Sequence, residues 1–200
     1  MFIPKRRLFC FLMLTPLFFY TTGASAQETA DHLVISQVYL DNNQPANSWI
    51  EVYNATDKPL ILERLRISHI KTTNVLPKAI QDQGGLRVAA GEYLILCANQ
   101  SLFDSAYATS TKYTGVDGLS QIATGGFIAV TTKGAGEAKG GVVRYGDPEK
   151  SMQISKLAGD QVVGFSKNRK SFTRKITKTA AGMNVSDFVE TSAAPGKSNN

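Results

Sequence analysis

The chain has 200 residues, a formal net charge of +6, two cysteines and two histidines. Its length suits a single domain with a core of its own. So few cysteines and histidines exclude a disulfide-stapled scaffold and the usual zinc-ligand spacings.

Residues 1–26 read as a cleaved signal peptide. Lys5, Arg6 and Arg7 form a basic segment, Leu8 to Tyr20 is a nearly unbroken apolar run, and Ala24-Ser25-Ala26 offers the small residues a signal peptidase recognises. The run is about thirteen residues, short of the ~20 that cross a bilayer as a helix. The rival reading is an uncleaved N-terminal anchor. Cys10 lies inside the run with no lipobox-like cluster around it. No later segment is apolar enough to span a membrane. The mature chain is therefore expected to start at Gln27 and to be exported, periplasmic or extracellular. Cleavage removes three cations and no acid, lowering the charge from +6 to +3, and leaves Cys97 without an intramolecular disulfide partner.

Residues 27–32 form a short leader. Leu33 to Leu40 reads as a first strand with Val34, Ser36, Val38 and Leu40 on one face, followed by the polar turn Asp41 to Pro45. Ser48 to Asn54 alternates apolar and polar residues, the period of a strand with one face in a core. Leu60 to Ile70 reads as extended, although its apolar residues also fit a helical stripe. Leu86 to Glu92 reads as a strand and tight turn with Gly91 at positive φ, and Tyr93 to Ala98, apolar on both faces, as a central strand. Residues 99–125 are too long for a structureless loop, which places a short strand within Ala106 to Tyr113. Phe127 to Thr132 is a strand, and Val142 to Tyr145 pairs back after the glycine-rich Gly134 to Gly141. Gln161 to Ser166 and Ser171 to Thr177 form a last hairpin around Lys167-Asn168-Arg169-Lys170, and the tail from Ala194 is extended. Short strands, frequent turns and no convincing amphipathic helix predict an all-β sandwich.

The order Val34-Ile35-Ser36-Gln37-Val38, then Trp49-Ile50-Glu51-Val52-Tyr53-Asn54, then Leu86 with Ala89-Ala90-Gly91-Glu92-Tyr93 resembles the lamin tail domain in its bacterial, exported form. Ser166 with Arg169, Asp187-Phe188, and Pro195-Gly196 with Asn199 extend the likeness over residues 33–199. The resemblance implies an immunoglobulin-like β-sandwich acting as an interaction module without catalytic residues. Nuclear lamin tails bind proteins and DNA; bacterial copies occur on exported proteins, often beside hydrolase domains, so an accessory role to a hydrolase is one alternative. Gln37 stands where an acid is common. The matched residues read as structural: Trp49, Glu51, Pro195 and Gly196 within their motifs, Asn54 satisfying backbone groups at a strand end, Gly91 in a turn, and Arg169 paired with Asp187.

The residues offer little for catalysis. Only His32 and His69 are available as bases, and Gly164-Phe165-Ser166-Lys167-Asn168 lacks the second glycine of a nucleophile elbow. Cys97, between Leu96 and Ala98, reads as a buried small hydrophobe. Asp41-Asn42-Asn43 with Glu51 could offer oxygens to calcium, but without the ladder of a dedicated loop a turn is the plainer reading. Gly134 to Lys139 joins two strands, so no helix N-terminus is there to receive a phosphate. No catalytic residue, metal or cofactor is expected.

The charge is polarised. Gln161 to Ser186 holds no acid but six cations, Lys167, Arg169, Lys170, Arg174, Lys175 and Lys178, which leave the rest of the mature chain at −3. One reading is a solvated edge hairpin protected from sheet-to-sheet association. The other is a patch, built on Lys167, Lys170, Arg174, Lys175 and Lys178, for DNA, polysaccharide or an acidic surface protein. The expected partner is thus a protein or an anionic polymer at the cell envelope.

Overall fold

In the computed structural model the described residues are 32–67, 74–122, 124–147, 162–179 and 182–197. The expected signal peptide, the expected leader up to residue 31, His69 and Asn199 lie outside them. In chain order the elements are β1 (Val34–Tyr39), β2 (Trp49–Tyr53), β3 (Leu60–Ile67), α1 (Lys78–Asp82), β4 (Leu86–Val88), β5 (Tyr93–Cys97), α2 (Gln100–Ala106), β6 (Lys112–Gly115), β7 (Gly125–Thr132), β8 (Gly136–Gly146), β9 (Val162–Val163), β10 (Lys170–Thr179) and β11 (Gly182–Ser192). They form a six-stranded sheet, β11-β10-β1-β2-β5-β6, and a five-stranded one, β4-β3-β7-β8-β9. The chain is an all-β sandwich.

One continuous core joins the sheets. Ile35, Val38, Ile50, Val52, Leu94 and Leu96 enter it from the first sheet, and Leu62, Leu65, Ile67, Ile128, Val130, Val143 and Tyr145 from the second. Each such side chain contributes about 1.5–3 kcal/mol on leaving water. The alternation expected along β1 is broken by a bulge between Ile35 and Gln37. Leu33 and Ile35, then Val38 and Leu40, reach the core, and Gln37 falls opposite Glu51. One inserted residue shifts every later side chain to the other face.

Gly91 does take a positive φ, +72°, in a turn between two strands, but β4 and β5 belong to different sheets. The turn is an arch across the sandwich, and Asn54 supports it. Its main-chain oxygen accepts from Gly91 N–H (2.9 Å), and its own N–H donates to Glu92 O (3.0 Å). Its side-chain amide donates to Lys58 O (2.8 Å) and Val88 O (3.1 Å), and its Oδ1 accepts from the Thr56 N–H and hydroxyl.

Three expectations need correction. Residues 99–125 hold a strand, but at Lys112–Gly115, preceded by the helix α2; Asn99 starts that helix by accepting from Leu102 N–H (3.1 Å). The resulting crossover makes β6 parallel to β5. The last hairpin is β10–β11, because Val162–Val163 joins the other sheet, parallel to β8. Lys167 to Lys170 is instead the turn by which the chain changes sheets, with Asn168 and Arg169 both at positive φ.

Candidate functional site

Trp49 and Glu51 alternate with Ile50 and Val52, so they point away from the main core, onto the outer face of the six-stranded sheet. Both are nonetheless fully buried. Over Trp49 lies α2: the indole is stacked on Tyr39 (6.0 Å, 9°) and met edge-on by Phe103 (6.2 Å) and Tyr107 (5.7 Å). Ile95 and Cys97 complete this second, smaller core. Burial pushes the Cys97 thiol up to about 11, which removes its thiolate at neutral pH and agrees with an inert packing role.

Over Glu51 lies the C-terminal turn. Gly196 N–H donates to Glu51 Oε2 (2.6 Å), and Ser36 Oγ is 2.7 Å from Oε1. Pro195 is buried beside it, while Ala193 N–H donates to Arg169 O (2.9 Å). Gly196 has φ +76°, and a Cβ there would collide with the hydroxyls of Thr109 and Thr111. Gly196→Ala is therefore expected to lower the unfolding free energy by about 1–2 kcal/mol in urea titration, the usual penalty for a left-handed alanine. Lys197→Ala, at an exposed position, should leave it unchanged.

A row of buried polar side chains continues along this face. Gln37 Nε2 donates to Ser171 Oγ (2.5 Å), and the hydroxyls of Thr173 and Thr191 are 2.8 Å apart. Sequence reasoning missed this row. Its one signal was polar residues recurring at alternate positions of apolar strands.

The five candidate cations do not form one patch. Lys167 is exposed in the sheet-changing turn, and Lys170 is paired with Glu190 (2.9 Å). Lys175 is exposed at the bulge opposite Ser186 and Asp187, about 17 Å along the strand from Lys170. Lys178 stands opposite Met183. Arg174 is buried: its guanidinium lies 3.8 Å over the Phe188 ring and donates to Val142 O (3.4 Å). Arg174 shares a face with Lys170 and Phe172, and that face looks into the sandwich. The expected Arg169–Asp187 pair is not formed either. Arg169 is registered with Ala193, six residues beyond Asp187, or about 20 Å along the strand.

Asp41 makes a turn, its Oδ1 accepting from Asn43 and Gln44 N–H (2.9 and 3.0 Å). Among the described residues no three His, Cys, Asp or Glu side chains converge on a point where they could hold a metal. No helix among them is long and apolar enough to cross a membrane. His32 is buried at the start of the first sheet. Comparison with protein-family models, with curated proteins and with solved structures finds no match for this chain.

Proposed function

We propose that this chain is an exported, non-catalytic module of the lamin-tail type, with an immunoglobulin-like sandwich, that docks on a macromolecular partner at the cell envelope. The observation that supports this reading is the hydrogen bond between Gly196 and Glu51. Motif residues distant in sequence meet there, and Asn54 and the Gly91–Glu92 turn are spent on holding backbone. The surface available to a partner includes β11, an eleven-residue strand at the sheet margin with Val189 59% exposed. Edge strands present unpaired backbone groups to any extended segment that fits them.

The test is capture from native envelope extract by the immobilised mature chain, at low and high salt. A partner retained at high salt supports the reading. Recovery no different from that of an unrelated β-sandwich would overturn it.

The second reading, an anionic polymer held by the cations, is favoured by the exposed Lys167 and Arg169 at one turn. Its variants must leave Arg174 alone, because a glutamate there would bury a charge and unfold the protein. Changing Lys167, Arg169 and Lys175 to Glu is expected to abolish duplex-DNA binding in a salt titration. In the unmodified chain log K should fall by about 0.9 per phosphate neutralised as log salt rises; flat dependence excludes this reading.

A further inference from the structure

Glu51 is fully buried, yet among the described residues no cation reaches its carboxyl. From β1 it meets Ser36 and, in register, Gln37; from β5 its register partner is Ile95. On β1, β2, β5 and β6 the ionisable groups of this face are Tyr39, Tyr53, Tyr93, Cys97 and Tyr113, with Tyr107 over Trp49, none of them a cation; Lys175, on β10, is exposed. Lys197 in the terminal turn is exposed, and Arg169 stands at the turn's far end.

The surrounding geometry fits a neutral carboxyl without leaving an oxygen of that carboxyl, or the Ser36 hydroxyl, unpartnered. Gly196 N–H donates to Oε2 (2.6 Å). The Ser36 hydroxyl lies within donating distance of both Oε1 (2.7 Å) and the main-chain oxygen of Glu51 (3.2 Å). When Oε1 carries a proton it can donate to Ser36 Oγ, leaving the hydroxyl to donate to the main-chain oxygen. Ionised, the same carboxyl keeps two donors but buries a full charge with no counter-ion. We infer that residues 193–197 are a strap over the sheet, latched by the neutral Glu51 carboxyl, and that removing its proton unlatches them.

The electrostatics agree. Burial raises the Glu51 carboxyl from 4.5 to about 7, with the bonds from Ser36 and Gly196 pulling the other way. A carboxyl whose affinity for the proton is higher in the closed state stabilises that state fully below about pH 4.5. The contribution is lost as the pH rises through about 7. Closure is thus favoured in acid and weakened in mild alkali. Gly196, which has no room for a side chain, fixes where the strap must land.

Amide hydrogen exchange of residues 193–197 in the mature protein, corrected for intrinsic rates, tests this. Between pH 5.5 and 8 the protection of the Gly196 amide is expected to fall roughly tenfold or more. In Glu51→Gln, whose amide stays neutral, protection should not vary with pH. Constant protection in the unmodified chain, or an equal fall in the Gln variant, overturns the inference. Should that variant fail to fold, the Glu51 carboxyl is titrated directly by carbon-13 NMR in the unmodified chain. A midpoint near 7 upholds the latch and one below 5.5 overturns it.

Discussion

Trp49→Ala is expected to destabilise the protein by about 3–5 kcal/mol, the range for deleting a fully buried tryptophan. That is a large share of the 5–15 kcal/mol typical of a domain. The loss has a particular location. Trp49 is the largest fully buried side chain, and it fills the space between β2 and α2, meeting Tyr39, Phe103 and Tyr107. The helix has seven residues and buries only Phe103, and a helix so short has little stability of its own. Its amides should therefore exchange before global unfolding in the variant. Urea titration followed by far-UV circular dichroism gives the magnitude. Trp49→Phe, which keeps a ring against Phe103, should cost clearly less. Equal stability of Trp49→Ala and the unmodified chain would mean that the aromatic cover contributes nothing.

Asn54→Ala is expected to cost about 3–4 kcal/mol, since each buried polar group left unpaired costs about 1–3 kcal/mol. Its amide is fully buried and holds four partners from the β2–β3 turn and from Val88 at the arch. Asn54→Asp separates this account from a simple packing effect. The new carboxyl keeps the acceptor for Thr56 but turns an oxygen toward Lys58 O and Val88 O, where only a proton can relieve the repulsion. Its proton affinity would be raised in the folded state, so its stability should fall as the pH climbs above about 4. The alanine variant should show no such added slope. Denaturant midpoints at pH 4 and 8 distinguish the two.

The strands that alternate or run apolar, β2, β5 and β7, were legible because each choice of face is written into neighbouring residues. The positive φ of Gly91 was legible in the same local way. What escaped was set by pairing at a distance. Val162–Val163 is two residues of unremarkable strand, and only the proximity of β8 decides which sheet takes it. The bulge at Ser36 split the expected face of β1, parting Val34 and Ser36 from Val38 and Leu40, because nothing in Ile35-Ser36-Gln37 marks the inserted residue. Arg174 was read as part of a surface patch; what could not be read was that Phe188 and Val142 wait on its side of the strand. Helix α2 left one trace, Asn99 before a run too short to show a helical period. Of the outer-face site, Glu51 and Gly196 were singled out one at a time, but their bond spans 145 positions and has no local signature.

The neighbours of β1 carry a kinetic consequence. On one side it pairs with β2, completed within some twenty residues; on the other it pairs with β10, Gln37 facing Thr173. A chain made from its N-terminus cannot finish the larger sheet until nearly all of it has been synthesised. Contacts so distant in sequence place folding in the millisecond-to-second range, far slower than a helical bundle. Until β10 arrives, one edge of β1 lacks its partner strand, and closure of the larger sheet waits on the last elements described.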